Sequence, residues 1–224
     1  MINRRILLAV GALAPLIAAC SSTPQQKSNR AQDLVDAATI TADRMRRDRP
    51  AMNALLAQAR GAMIFPSIIK GGLIWGGQGG SGVLLARDIT GDWSAPAFYT
   101  MGGISWGLQI GVQDSEVMLV VMTSKGMDAV TKRGVKLGAD ASVAAASAGA
   151  SAQAATTNIL HDIYVYADTA GVFAGLSLEG AWVETRDDLN QAYYNRVSLE
   201  PSDIVRRRAV DHPGAARLRA ALPR

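Results

Sequence analysis

The chain has 224 residues, of which 49% are hydrophobic and 19% are charged, and its formal net charge is +4. This length suffices for one well-buried core of ordinary domain size and is short for two large domains. The charge content excludes a disordered polyelectrolyte, and the mild basicity permits anionic partners without indicating nucleic acid.

The N-terminus has the pattern of a bacterial export signal. Arg4 and Arg5 precede an apolar run, ILLAVGALAPLIAA, of 14 residues. A membrane-spanning helix needs about 20 residues, so the run predicts a signal peptide over residues 1–19 rather than an anchor. It ends in Ile17-Ala18-Ala19-Cys20, which resembles the lipobox of bacterial lipoproteins. We therefore predict cleavage before Cys20 and its acylation, including palmitate. The alternative is a plain cleaved signal with an incidental cysteine.

This processing fixes the predicted organisation of the mature chain. Cys20 is the only cysteine, so no internal disulfide can form. Loss of residues 1–19 removes two basic residues and no acid, which leaves 21 basic against 19 acidic residues and a net charge of +2. A serine after the cysteine favours the outer membrane. The predicted parts are residues 20–30, a lipidated cysteine with a flexible tether, and residues 31–224, a single domain with a basic tail.

Two amphipathic helices are predicted first. One runs from Ala31 to Asp48, and the second begins at Pro50 and ends at about Ala59. Their predicted core-facing residues are Leu34, Ala38, Thr41, Met45, Met52, Leu55, Leu56 and Ala59. A membrane-bound role for these faces is the alternative, but the faces are modest and rich in alanine.

From residue 62 onwards, short apolar runs separated by turn residues predict strands. The runs are AMIF (62–65), GLIWGG (72–77), SGVLLARD (81–88), AFYTMGGISWGLQIG (97–111), EVMLVVMT (116–123), DIYVYAD (162–168) and GVFAGLSLEGAWVE (171–184). Helical spacing returns over residues 124–138, with Ser124 as the candidate N-cap, and over a capping-box-like start at Thr185 through about Tyr194. Residues 212–222 predict a short final helix. Residues 139–158, rich in small side chains, receive no assignment.

A glycine-rich segment raises the question of nucleotide binding. Residues 77–82, GQGGSG, match the GxGxxG pattern, which must follow a strand and open a helix to bind phosphate. The β-like residues that follow it argue against that function. Residues 71–80 and 102–111 are identical at six of ten positions, and Trp75 aligns with Trp106. Glycines repeated within strands mark bends or close approach, so we predict an α+β fold with a curved antiparallel sheet that could close towards a barrel.

Three segments carry a resemblance to the SYLF domain family. They are ARGAMIFPSIIKGGLIWGGQGGSGVLLARD (59–88), WSAPAFYTMGGISWGLQIG (93–111) and GVFAGLSLEG (171–180), the last flanked by IYVYAD and QAYY. Eukaryotic members bind phosphoinositide membranes and, in some cases, actin filaments. The resemblance covers residues 31–209 and implies an α+β lipid-binding module without catalytic activity. An exported chain would meet no actin, and its ligand is expected to be another anionic phospholipid.

No residue pattern indicates catalysis, a cofactor or a metal. The only histidines are His161 and His212, no ligand-spaced cluster is present, and Ser81 lacks the G-x-S-x-G context. On the helix predicted after Ser124, three lysines fall on one face opposite apolar residues, with an arginine at the flank. The predicted headgroup-binding residues are Lys70, Lys125, Lys132, Arg133 and Lys136, with a second basic cluster at residues 206–208. A solvated face of a core-packed helix is the alternative.

The sequence thus predicts an envelope lipoprotein whose domain binds anionic phospholipid headgroups on the periplasmic side of the outer membrane. In the alternative, the acyl anchor alone holds the membrane, and the domain docks an envelope protein partner. Trp75 and Trp106 are predicted to fill core space beside the glycines, with insertion into a lipid interface as the alternative.

Overall fold

The computed structural model describes residues 22–72, 75–106, 111–145, 161–169 and 180–224. The helices are α1 (Pro24–Asp48), α2 (Pro50–Leu56), α3 (Ser124–Val130), α4 (Asp187–Tyr194), α5 (Pro201–Val205) and α6 (Ala216–Ala220), with a 3-10 turn at Pro213–Ala215. The strands are β1 (Gly61–Gly72), β2 (Trp75–Ala86), β3 (Ala97–Trp106), β4 (Gly111–Val121), β5 (Gly134–Lys136), β6 (Val143–Ala145), β7 (Ile163–Thr169) and β8 (Trp182–Thr185).

The eight strands form one curled sheet in the order β5-β8-β3-β2-β1-β4-β7-β6. All neighbours are antiparallel except β6 and β7, which run parallel. The two edge strands, β5 and β6, follow each other in the chain, and a bridge between Leu137 and Ala141 joins them. The sheet therefore curls into a half-barrel, and the predicted α+β fold with a curved sheet is confirmed.

The central strands are buried on both faces, which explains their nearly continuous apolar sequences. On β1, Ile64 packs in one core with α1, α2 and α6, whereas Met63 packs in a second core with α3 and α5. Successive strand residues point to opposite faces, so each central strand supplies both cores. Full burial of one large apolar side chain contributes about 1.5–3 kcal/mol, and both cores are built from many such residues.

The predicted α1 and α2 are confirmed, but α1 begins earlier than expected. It starts at Pro24, where the Thr23 hydroxyl accepts a hydrogen bond from the Gln26 backbone, and the Gln26 side chain caps Thr23 in return. This reciprocal capping box satisfies two backbone donors at the helix start. The predicted tether is therefore wrong for residues 24–30, which are helical.

The helix predicted over residues 124–138 is also shorter than expected. Thr123, not Ser124, is its N-cap, and α3 ends at Val130. Residues 134–136 form β5 instead, because Val135 is buried opposite Val183 of β8. The prediction that the lysines of this segment lie on one face of a single helix is therefore wrong. The helices predicted at residues 185–194 and 212–222 are present, although the N-cap of α4 is Arg186 and no capping box forms there.

The glycines of the GxGxxG match lie inside β2, and a further strand residue, Val83, follows them. They serve a close crossing of two strands. Strand β1 shifts register between Ile64 and Ile69, around Pro66. A Cβ on Gly80 would lie 2.0 Å from the Ser67 carbonyl oxygen, and one on Gly82 would lie 2.4 Å from the Phe65 ring. Only glycine at these two positions lets β1 and β2 approach so closely. Because the glycines lie within a strand and do not open a helix, they do not have the geometry of a nucleotide-binding loop.

Gly82→Ala is expected to lower the free energy of unfolding by about 1–3 kcal/mol, because the added methyl would overlap the Phe65 ring and the Ile64 carbonyl oxygen. Gly77→Ala is the matched control on the same strand, since its Cβ would meet nothing within 4 Å. Urea unfolding of both variants measures the difference. Equal losses would show that strand conformation, and not the close crossing, requires the glycine.

Candidate functional site

The predicted headgroup-binding residues do not lie together, because some are near one end of β1 and others are near its opposite end. Lys70 lies near the end of β1, in register with Gln78 of β2 and Gln113 of β4. Lys125 lies in the first turn of α3, which packs where β1 begins: a Cβ on Gly61 would lie 2.5 Å from the Met127 sulfur. At about 3.3 Å per residue, the two ends of this stretch are ~30 Å apart. The five residues therefore do not form one stripe.

Lys125 is engaged by a buried carboxylate. Its Nζ lies 3.4 Å from Asp162 Oδ2, and only 8% of Asp162 is exposed. The Thr123 hydroxyl, the Ser142 hydroxyl and the Ser142 backbone N–H also donate to this carboxylate. Burial alone would raise the pKa of Asp162, but these hydrogen bonds outweigh it and lower the pKa from 3.8 to about 2. Asp162 thus joins α3, β7 and the segment that leads to β6.

Arg133 is engaged as well. Its guanidinium donates to Asp187 of α4 and to Glu200, the N-cap of α5, both at 2.6 Å. The hydrogen bond with Glu200 chiefly, and the charges of both carboxylates, raise the pKa of Arg133. This bridge fixes the start of β5 against two helices. Arg133 therefore presents less positive charge to a ligand than its exposure suggests.

Lys136 belongs to a row of paired residues at the end of the sheet that also holds Lys70, which follows the last residue of the row on β1 and therefore points to the opposite face. The row runs in register across five strands, and its members are Lys136, Trp182, Gly102, Gly79 and Ile69. We call it the glycine row. Directly opposed residues of antiparallel strands share a face, and strands lie about 4.8 Å apart, so the row is ~19 Å long.

The glycine row exposes apolar side chains beside cations. Trp182 is 48% exposed and Ile69 is 55% exposed. The Trp182 ring lies over Gly102, where a Cβ would approach it to 2.5 Å. Lys132 and Lys136 are exposed. Within the described residues, none of Lys70, Lys132 and Lys136 forms an ion pair. The nearest acid in register is Asp114 of β4, which lies opposite Ile69 and accepts a hydrogen bond from the Ser67 hydroxyl; Glu184 lies opposite Gly134.

A second basic surface lies at the opposite end of the sheet. Arg207 pairs with Asp203 of α5, whereas Arg206 and Arg208 face a cleft together with Arg60 and Arg87. We call this the arginine cleft. Arg60 and Arg87 were not predicted from the sequence. They flank the register pair Gly61–Ala86, and the Arg87 backbone N–H donates a hydrogen bond to the Arg60 carbonyl. Only the pairing of β1 with β2 could have revealed their proximity.

Other predicted features are placed as follows. Cys20 and most of residues 171–180 lie outside the described residues, as do the side chains of Trp75 and Trp106, although these two residues pair in register through their backbones. The Ser81 hydroxyl accepts a hydrogen bond from Arg186.

In the part of the chain that the structure describes, no group of three or more histidine, cysteine or acidic residues could hold a metal. No helix in this part has the length and hydropathy to cross a bilayer.

An α+β fold with an exposed apolar row and two basic surfaces is typical of a binding module. A family model described as "Ysc84: Las17-binding protein actin regulator" matches residues 102–224, more than half of the chain. The chain therefore belongs to this family, whose domain is the SYLF domain, and the resemblance drawn from the sequence is confirmed.

Several curated proteins are similar to this chain. SH3 domain-containing YSC84-like protein 1 of Xenopus laevis is 28% identical over 186 residues, which cover 82% of this chain and 55% of that protein. Protein YSC84 of Saccharomyces cerevisiae is 32% identical over 144 residues, covering 62% of this chain and 31% of that protein. The chain thus spans about a third to about half of the length of these relatives. LAS seventeen-binding protein 3 of Saccharomyces cerevisiae, 32% identical over 144 residues that cover 62% of this chain and 31% of that protein, is named for binding.

Asp162→Asn is expected to lower the free energy of unfolding near neutral pH by about 2 kcal/mol. The folded-state pKa of Asp162 lies below its ordinary value, so its ionised form stabilises the fold above pH 3.8, and this contribution is lost as the pH falls through about 2. The gap between wild type and variant should therefore shrink below pH 4. Asp33→Asn, at an exposed position of α1, is the control. A gap that stays constant with pH would contradict this account.

Proposed function

We propose that this protein is an envelope lipoprotein whose SYLF domain binds anionic phospholipid headgroups at the periplasmic face of the outer membrane. The observation that supports it best is the end of the sheet that carries the glycine row, where Trp182 and Ile69 are exposed on the same face as Lys136 and Lys70 lies on the other face. Tryptophan favours membrane–water interfaces because its ring is apolar and its N–H polar. Each cation near an anionic membrane contributes about 1 kcal/mol. A sheet end with an apolar strip on one face and a lysine on each face suits a membrane that meets the ends of the strands.

Acylation of Cys20 would supply the stable anchor, since two or more acyl chains bind a membrane far more tightly than one. Helix α1 begins near this residue, and its N-terminal turn lies close to α4. Arg186 chiefly, and Lys27 of α1 to a smaller extent, lower the pKa of Asp188 in the first turn of α4. Because α4 follows β8 directly, the start of α1 lies near the end of the strand that carries Trp182.

A second candidate function is docking of a protein partner, with the acyl anchor alone holding the membrane. Relatives of this chain are named for binding Las17 and for actin regulation. The same glycine row supports this candidate, because its exposed Trp182 and Ile69 side chains are available to pack against another chain. For an exported protein, that partner would be another envelope protein. Such docking would depend on the apolar side chains rather than on the lysines.

Residues 21–224, which lack the acylated cysteine, are expected to sediment with phosphatidylglycerol and cardiolipin vesicles but not with neutral ones. Binding should weaken as salt is raised, because exposed charges are screened beyond ~10 Å at 0.1 M. The double variant Lys70→Glu/Lys136→Glu should reduce the affinity by at least roughly 30-fold, since two favourable cations are lost. Co-sedimentation at two salt concentrations measures both effects.

The matched control is Arg196→Glu/Arg217→Glu, which makes the same charge change at exposed positions away from the glycine row. Equal loss in both double variants would mean that net charge, and not this surface, governs binding. Sedimentation with no vesicle at all would leave acylation as the only membrane contact and would favour the protein partner.

A further inference from the structure

The arginine cleft is separate from the glycine row and has its own charge balance. It encloses about 260 Å³ between the start of β1, the end of β2, α3 and the segment after α5. Four arginines and two aspartates line it: Arg60, Arg87, Arg206, Arg208, Asp88 and Asp128. Its lining therefore has a net charge of +2.

The two aspartates each engage one arginine and leave the other two without a carboxylate. Asp128 pairs with Arg206 across the rim, and Asp88 pairs with Arg208 at 2.9 Å. Arg208 also donates to the Asp92 carbonyl, and these contacts hold it at a φ of 52°, a conformation that non-glycine residues rarely adopt. Arg208 thus combines an unfavourable backbone conformation with two polar contacts beside the cleft.

Arg60 and Arg87 are the unneutralised pair. The Arg60 side chain is exposed, and within the described residues it forms no ion pair or side-chain hydrogen bond. Arg87 donates from Nη1 to the Ala57 carbonyl at 2.6 Å, but its Nε is buried and has no hydrogen-bond partner. This buried donor is not accessible from the cleft, so an anion would instead contact the exposed Arg60 guanidinium and the Nη groups of Arg87.

We propose that the arginine cleft binds a terminal phosphate group, that is, a phosphomonoester. Such a group carries a charge of about −1.5 to −2 near neutral pH, which matches the two unneutralised guanidinium groups. The planar fork of arginine fits two phosphate oxygens at once. A phosphodiester carries one negative charge and fewer free oxygens, so it fits this balance less well.

The phosphate group can belong to a soluble metabolite or to a lipid headgroup such as that of phosphatidic acid. The site does not rest on the proposed membrane function, because the cleft lies at the end of β1 opposite the glycine row, ~26 Å from Ile69. A failure of vesicle binding through Lys70 and Lys136 would therefore leave the cleft untouched.

The test is isothermal titration calorimetry on the full chain in a neutral detergent. The ligands are inorganic phosphate, dihexanoyl phosphatidic acid and dihexanoyl phosphatidylglycerol. Inorganic phosphate, phosphatidic acid or both should bind, and phosphatidylglycerol should bind at least roughly tenfold more weakly. Arg60→Gln should weaken phosphate or phosphatidic acid binding roughly tenfold, because it removes a charged hydrogen-bond donor. Arg30→Gln, which makes the same change at an exposed position of α1, should leave binding unchanged.

The midpoint of thermal unfolding of Arg60→Gln is expected to match that of wild type, because this side chain forms no described polar contact. A loss of binding in this variant would then come from the cleft and not from unfolding. Binding of inorganic phosphate alone would assign a soluble ligand, and binding of phosphatidic acid alone would assign a lipid; both support the site. Absence of binding by either phosphomonoester, equal binding of phosphatidylglycerol, or equal effects of the two arginine variants would overturn it.

Discussion

The sheet is packed on both faces, and the rest of the structure follows from this constraint. Helices α1, α2 and α6 cover one face, and α3 and α5 cover the other. Residues on the central strands are therefore committed to one core or the other, and little of those strands is free to meet a ligand. Binding surfaces are left to the ends of the strands, which is where the glycine row and the arginine cleft lie.

The curl of this sheet depends on close contact between backbones. Strand β1 bends around Pro66, and Gly80 and Gly82 of β2 make space for that bend. The same region gives the chain its internal repeat, since the repeated tryptophans Trp75 and Trp106 pair across β2 and β3. Further along these strands Gly79 pairs with Gly102, which is buried beneath the Trp182 ring, and Trp182 and Ile69 are exposed in the same row. Neighbouring glycines thus shape the bend and seat the exposed tryptophan of the candidate surface.

Local patterns predicted the fold class, the long strands and most helices, because apolar spacing reflects which residues are buried. They failed at residues 131–138, where Val135 and Leu137 fit both helical and strand spacing. The choice was decided by pairing with β8, which lies almost 50 residues further along the chain. The site was predicted only in part for the same reason. Spacing selected Lys70 and Lys136 as cations, but it could not show that Asp162 engages Lys125 or that β-pairing brings Arg60 to Arg87.

The central claim is that the glycine row contacts an anionic membrane. The most direct measurement is quenching of tryptophan fluorescence by vesicles of brominated phosphatidylglycerol, comparing residues 21–224 with the Trp182→Phe variant. The account predicts quenching in wild type and loss of the quenched component in the variant, because Trp182 is the exposed aromatic residue of the row. Equal quenching in both proteins would place the contact at another tryptophan. No quenching in wild type, under conditions where it sediments with the vesicles, would contradict insertion of this surface.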